Sequence, residues 1–307
     1  MPKQAQFLAC LLALLASPML GATSDPRSNL IVDSKWLDAH HQDANLVLLH
    51  VGDAQQYAAG HIPGARLVAL GDISVSEHTG NGLMLELPPP EDLRKRLEKL
   101  GISDASKVVV YYGQDWVSPS TRVLFTLQHA GLGERAVLLD GGMAAWTAQG
   151  GALSSEPVPL KPGALAPLRT QPLVVDADFV RTHRARPGFT VIDGRAAVYY
   201  DGVERGGQHG QQERAGHIAG ARSIPFTEIT DEQLLLRSQA ELRALFDAAG
   251  VKPGDTVIGY CHIGQQATAM LYAARLLGHP IKLYDGSYQD WSRGSANPVE
   301  NPSASKP

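Results

Sequence analysis

Cysteine is scarce in this chain, and Cys10 and Cys261 are the only two among its 307 residues. So few cysteines exclude a disulfide-stapled scaffold. A strong charge of one sign is also lacking, because the net charge is -4, which argues against a partner such as nucleic acid. No apolar run beyond the N-terminus is long enough for a stable membrane anchor. The 11 histidines are scattered without ligand spacing, so the sequence predicts no metal and no cofactor.

The N-terminus has the pattern of a signal peptide over residues 1–22. Lys3 supplies a positive charge, Phe7 to Leu15 is apolar, and small residues lead to a cleavage point after Ala22. The pattern predicts export, which means the periplasm if the source is a diderm bacterium. Cys10 would leave with the signal, so Cys261 would be the single, free thiol of the mature protein. Such a thiol is either buried and inert or kept for its chemistry.

The stretch from Val257 to Thr268 places Cys261 between a strand and a helix. An apolar run ends at the cysteine, a short glycine-containing loop follows, and a helical pattern runs from Ala267 to Leu277. The loop amides and the first helical turn would direct their positive ends at the sulfur, which favours the nucleophilic thiolate. A buried structural cysteine at a strand end is the alternative.

The chain contains a repeat. Leu30 to Tyr57 aligns without a gap on Leu173 to Tyr200, at an offset of 143 residues, and GHIPGAR at Gly60 matches GHIAGAR at Gly216. Strands alternate with helices in both copies, which predicts two α/β domains with mostly parallel sheets. We expect these units: a first domain over residues 28–150, a linker over 151–172, a second domain over 173–298 and a disordered tail over 299–307.

The two copies differ at the candidate site. Tyr111-Tyr112 aligns with Tyr260-Cys261, and His50-Val51-Gly52 aligns with Asp193-Gly194-Arg195, so the first copy lacks both the thiol and the arginine. The second copy also carries an insertion over residues 201–214, either a flexible surface loop or part of the cleft wall. We therefore expect the first domain to be structural and the second to hold the site.

These features together resemble the tandem rhodanese-like sulfurtransferases. The resemblance rests on GHIAGAR at Gly216, Asp193-Gly194-Arg195 after a strand, the Cys261 loop, and YDGSYQDW from Tyr284 to Trp291. It implies two tandem rhodanese-like domains, each a mostly parallel sheet flanked by helices. It also implies that the cysteine takes a sulfane sulfur from a small anionic donor such as thiosulfate. The resulting persulfide passes that sulfur to a thiophilic acceptor such as cyanide, a thiol or sulfite, or to an acceptor protein.

The resemblance also assigns roles to residues. Cys261 is the expected catalytic nucleophile, and the amides of the loop after it would stabilise the added sulfur. Arg195 matches the arginine that binds an anionic donor, or it forms a salt bridge to Asp193 or Glu213. Asp193 is the expected supporting residue. His262 could add positive charge near neutral pH or point to solvent. The expected binding loop consists of His262, Ile263, Gly264, Gln265 and Gln266.

The loop departs from the patterns usual in the family, which leaves the donor open. Thiosulfate-type members carry basic residues after the cysteine and mercaptopyruvate-type members carry Gly-Ser-Gly or a close variant, whereas this loop is neither. Arg195 and His262 favour thiosulfate, with 3-mercaptopyruvate as the alternative. A related phosphatase is disfavoured because no arginine occurs between Cys261 and Arg275. A sulfur carrier and a structural protein of the envelope are the alternatives to an enzyme, and we expect a monomer.

Overall fold

We describe a computed structural model of the chain, covering residues 26–79, 82–113, 116–159, 161–208 and 211–305. The expected signal peptide lies outside these residues. Within them, no helix combines the length and the apolar character needed to cross a membrane.

The first domain alternates strands and helices, as its sequence pattern predicts. Its elements in chain order are β1 (Ile31–Val32), α1 (Ser34–His40), β2 (Leu46–Val51), α2 (Ala54–Ala59), β3 (Arg66–Val68), α3 (Leu70–Ile73), α4 (Pro90–Lys99), β4 (Lys107–Tyr112), α5 (Val117–His129), β5 (Ala136–Leu139) and α6 (Gly142–Ala148).

The second domain repeats this order after an irregular connection and adds short strands. Its elements are β6 (Val174–Val175), α7 (Ala177–His183), β7 (Phe189–Asp193), α8 (Ala197–Tyr200), β8 (Gly207–Gln208), β9 (Gln211–Gln212), β10 (His217–Ile218), β11 (Arg222–Ser223), α9 (Gln239–Ala248), β12 (Thr256–Tyr260), α10 (Ala267–Leu276), β13 (Ile281–Tyr284), α11 (Ser287–Trp291) and β14 (Val299–Glu300). Three short 3-10 segments complete the described chain: Pro26–Asn29, Phe226–Ile229 and Pro302–Ser305.

Each domain is built on a five-stranded sheet, and the two sheets have the same order. The first is β1-β5-β4-β2-β3 and the second is β6-β13-β12-β7-β11. Every pairing inside the two sheets is parallel. Central strands such as β4 and β12 are buried along almost their whole length, as expected of sheets covered by helices on both faces. The predicted α/β class and the tandem repeat are confirmed.

Some element boundaries differ from those expected. The sequence offers Ser34 as an N-cap of the first helix, but Asp33 caps it in the structure, since the Asp33 carboxylate accepts the Trp36 amide at 2.7 Å. By its place in the repeat, the sequence from Asp231 to Ala249 is predicted to be helical, but the helix begins at Gln239, where Ser238 and Glu241 form a capping box. Residues 231–237 before it form turns and a single β-bridge instead.

The expectation of a disordered tail is wrong for residues 299–305. Val299 and Glu300 pair antiparallel with β10, and the Glu300 carboxylate reaches His217 at 3.2 Å. The tail therefore adds a strand beside the GHIAGAR turn, where backbone groups would otherwise lack partners. Residues 306–307 lie outside the described chain.

The two domains pack through α5 and α10 and through two connections that cross between them. We call residues 74–79 and 82–89 the first arm and residues 225–238 the second arm. The first arm donates the Leu87 amide to Asp285 of the second domain, and the second arm donates the Leu236 amide to Asp140 of the first. Each domain therefore binds an arm of the other. One apolar core cluster also contains buried residues of both domains.

Candidate functional site

Cys261 lies at the carboxyl end of β12 and is completely buried. The strand brings it to the edge where loops of a parallel sheet form binding sites. Four backbone amides of the following loop and the start of α10 donate to the sulfur: those of Ile263, Gly264, Gln266 and Ala267. This arrangement is a ring of donors suited to a negative sulfur.

Burial and the loop act in opposite directions on the thiol. Burial raises the pKa of Cys261, and the four amides lower it, with burial the larger effect. The loop amides therefore favour the thiolate, as expected, but the net shift of the Cys261 pKa is upward and favours the thiol. A proton acceptor near the sulfur, or a change in hydration when substrate enters, is needed to populate the thiolate.

The segment from Ser287 to Gln289 holds the Cys261 loop in place through hydrogen bonds. The Ser287 hydroxyl accepts the Cys261 amide at 3.2 Å, while the amides of Tyr288 and Gln289 bind the carbonyls of Cys261 and His262. Since α11 begins in this segment, the YDGSYQDW motif anchors the loop through main-chain bonds.

A cavity of about 280 Å³ opens above the sulfur. Its size suits a small molecule. The insertion contributes part of the wall, which places it in the cleft rather than on a remote surface. The lining residues are Tyr199, Gly206, Gly207, Cys261, His262, Ile263, Gln265 and Gln266.

His262 is held by a carboxylate from the insertion. Its Nδ1 lies 2.7 Å from the Oε2 atom of Glu213, and the Tyr199 ring meets the imidazole edge-on at 4.7 Å between centroids. Glu213 is itself buried, with 5% of its surface exposed. Because a carboxylate accepts, the Nδ1 atom carries a proton, and Nε2 is the acceptor in the neutral ring.

Arg195 is buried beneath this pair. Its guanidinium donates to Asp193 at 2.7 Å and to the Gly216 carbonyl at 2.7 Å, and its Nη1 lies 3.5 Å from Glu213. The ring of Tyr288 stacks 4.0 Å from it. Burial is the largest single effect and lowers the pKa of Arg195, but Asp193, Tyr260 and Glu213 together outweigh it, so the net shift is upward.

The structure brings together most of the residues expected at the site. Cys261 and four of the five expected loop residues line the cavity, and the fifth, Gly264, faces the sulfur with its amide. Arg195 and Asp193 lie below the wall instead, and the two salt bridges offered as alternatives for Arg195 are both present. A direct role of Arg195 on the donor stays a prediction.

Sequence reasoning missed Glu213 as a partner of His262 and Tyr199 as a wall residue. A signal existed for Glu213, because it belongs to the insertion that the first copy lacks. Tyr199 gave no such signal, since a tyrosine in a short helix is compatible with core packing.

Comparisons with known proteins agree with this geometry. The family model for the rhodanese-like domain matches residues 33–149 and again residues 176–294. A probable 3-mercaptopyruvate sulfurtransferase of Pseudomonas aeruginosa is 32% identical, over 80% of this chain and 86% of its own. A thiosulfate sulfurtransferase of Azotobacter vinelandii is 28% identical, over 88% and 97%.

Two further proteins add to the comparison. The sulfur carrier protein TtuD of Thermus thermophilus is 28% identical, over 88% of this chain and 96% of its own. The solved structure of YnjE matches 92% of this chain and 71% of that chain with a TM-score of 0.79 at 24% identity, which supports the fold alone. With the family model matched twice and a relative above 30% identity over most of the chain, this protein belongs to the rhodanese-like family and carries two such domains in tandem.

Proposed function

We propose that the protein is a sulfurtransferase that moves a sulfane sulfur from thiosulfate to a thiophilic acceptor through a persulfide on Cys261. The observation that carries this is the position of Cys261 below a small cavity with four backbone amides on its sulfur. Amides that face a sulfur stabilise the negative charge that develops on it.

The reaction has two balanced halves. The Cys261 thiolate attacks the outer sulfur of thiosulfate, the S–S bond of the donor breaks, and sulfite leaves with the electron pair. An acceptor such as cyanide then attacks the terminal persulfide sulfur, forms thiocyanate, and returns Cys261 to the thiolate. One product leaves before the acceptor reacts, so the kinetics are ping-pong.

His262 is the group in the cavity wall suited to proton transfer. With Nδ1–H donated to Glu213, Nε2 can take the proton that a resting Cys261 thiol must lose. The resulting imidazolium adds positive charge to a wall that otherwise carries no charged side chain among the residues that line it. Arg195 acts on the donor through this pair, because its guanidinium is bound to Asp193 and reaches Glu213.

3-Mercaptopyruvate is the second candidate donor, favoured by the relative from Pseudomonas aeruginosa. A carrier that hands its persulfide to a partner protein is the third possibility, favoured by TtuD. The small cavity and the titratable His262 favour thiosulfate as the first choice. We also propose that the mature protein begins after Ala22 and works as an exported monomer, periplasmic in a diderm bacterium.

Intact mass of the mature protein tests the proposal. Thiosulfate is expected to add one sulfur atom, cyanide to remove it, and Cys261→Ser to abolish both changes. If 3-mercaptopyruvate loads Cys261 and thiosulfate does not, the donor assignment is wrong. A persulfide that forms but resists small acceptors favours the carrier function, and a cysteine that no donor modifies contradicts sulfur transfer altogether.

A further inference from the structure

We propose that Arg122 of the first domain is a positioning residue for the Cys261 loop of the second. The inference deepens the proposed function and rests on it for its consequence. Arg122 lies midway along α5, which packs against α10, and its side chain is completely buried. Its guanidinium donates to Asp285 at 2.6 Å, to the Gly264 carbonyl at 3.0 Å, and to the Leu85 carbonyl in the first arm.

Gly264 is the residue at which this contact matters. It lies in the left-handed region with φ of 79°, inside the run of residues whose amides face the sulfur. A side chain here would collide with Asp285 at 2.8 Å and with the Arg122 guanidinium at 3.0 Å. Because a trans peptide directs its C=O and N–H to opposite sides, a carbonyl bound to Arg122 makes the Gln265 amide face away from it. The Gln265 amide is not among the four that face the sulfur, but its peptide joins the Gly264 and Gln266 amides that do. Arg122 thus fixes the peptide that connects the two pairs of donors.

The effect of Arg122 on the sulfur is one of geometry. Its positive charge is neutralised at 2.6 Å by Asp285, so little net charge remains to act on the sulfur. The planar fork reaches one carboxylate and two carbonyls on separate segments, which a lysine cannot match. The first domain therefore acts on the reactive loop of the second through a single buried side chain.

The test compares Arg122→Lys with Tyr272→Phe. Each substitution removes a buried contact between the domains. Tyr272→Phe removes the hydrogen bond from the Tyr272 hydroxyl to the Leu30 carbonyl, which does not involve the Cys261 loop. The rate of Cys261 alkylation by iodoacetamide is measured against pH, with thermal unfolding in parallel. We expect Arg122→Lys to raise the pH midpoint of alkylation by about one unit. At a fixed pH below that midpoint, the variant would then hold about tenfold less thiolate. Tyr272→Phe should lower only the unfolding temperature.

A wild-type alkylation midpoint in folded Arg122→Lys would overturn the proposal and leave Arg122 as an interface contact. If Arg122→Lys does not fold, the double variant Arg122→Gln with Asp285→Asn removes both charges and avoids an unpaired one. The same midpoint shift is expected there. Alkylation needs no sulfur donor, so a shift in a protein that thiosulfate and 3-mercaptopyruvate cannot load would support the positioning role while contradicting the proposed function.

Discussion

The two domains keep one framework and use it differently. In the first, His50 lies beside Tyr111 across β2 and β4, and in the second Asp193 lies beside Tyr260 across β7 and β12. Both tyrosine hydroxyls accept a turn amide, from Ile62 at 3.0 Å and from Ile218 at 3.1 Å. The turn after each GHI motif is thus held in the same way, whatever else the domain does.

The difference begins at the next residue of the strand. Where the second domain has Cys261, the proposed nucleophile, the first has Tyr112, whose hydroxyl donates to the Leu234 carbonyl of the second arm at 2.6 Å. The position of the proposed nucleophile in one copy makes an interdomain contact in the other. This contact gives a physical reason for the prediction that the first domain is structural. Arg122 extends that reason, because its side chain reaches the Cys261 loop.

Each arm binds an aspartate that is also paired with an arginine, but the two ion pairs differ in burial. Asp140 lies 3.7 Å from Arg27, and both side chains are about one-fifth exposed. Asp285 lies 2.6 Å from Arg122, and both are almost fully buried. The backbone contacts are alike, because each aspartate also accepts an arm amide at 2.9 Å.

This inequality predicts the largest change in stability. Asp285→Asn leaves the Arg122 charge buried without its partner, and should lower the free energy of unfolding by about 3–5 kcal/mol. Asp140→Asn breaks a more exposed pair and should cost about 1 kcal/mol or less. Urea unfolding followed by tryptophan fluorescence measures both. Equal losses would show that the arms, rather than the buried ion pair, determine the stability of the interface.

A pH titration sharpens the comparison of His50 with Asp193. Burial lowers the pKa of His50 from 6.5 to about 4, with His61 adding to the shift. Between pH 6.5 and about pH 4, His50 is therefore protonated in the unfolded chain and neutral in the folded chain. The His50 contribution is fully present above pH 6.5 and is lost as the pH falls to about 4, amounting to about 3 kcal/mol.

The corresponding experiment is thermal unfolding of His50→Gln between pH 7 and pH 4. The variant should lose less stability on acidification than the wild type, because the titrating group is gone. His41→Gln, at a partly buried position of the same domain, is the control. A wild-type acid profile in His50→Gln would mean that other groups carry the acid sensitivity of the first domain.

Features that follow from the sequence pattern could be predicted, whereas contacts between residues far apart in the chain could not. The repeat and the succession of strand, Cys261, loop and helix follow from patterns in the sequence, and the structure agrees with both. Glu213 and Arg122 could not be derived in this way. Each acts on a residue far along the chain, Glu213 on His262 and Arg122 on Gly264, and a helical arginine or an insertion glutamate is normally exposed. The tail was missed for the same reason, since β14 finds its partner in β10.

The smallest effect we predict concerns two histidine–carboxylate pairs of the second domain. Glu213 holds His262 at 2.7 Å in the cavity wall, and Glu300 holds His217 at 3.2 Å in the GHIAGAR turn. The chemistry of the two pairs is the same, but only the first lies against the cavity. We expect Glu213→Gln to lower kcat/KM for sulfur transfer by about 10-fold or somewhat more, as loss of an orienting carboxylate usually does.

Glu300→Gln is the matched control and should leave kcat/KM within about twofold of the wild type, since the Glu300 side chain is 57% exposed and remote from the cavity wall. Arg195 keeps Asp193 in Glu213→Gln, so the unfolding temperature of that variant should change little, and Glu213→Asp should recover part of the rate. Equal activity in Glu213→Gln and Glu300→Gln would remove His262 from the mechanism. The difference between the two domains would then reduce to Cys261 and the amides around it.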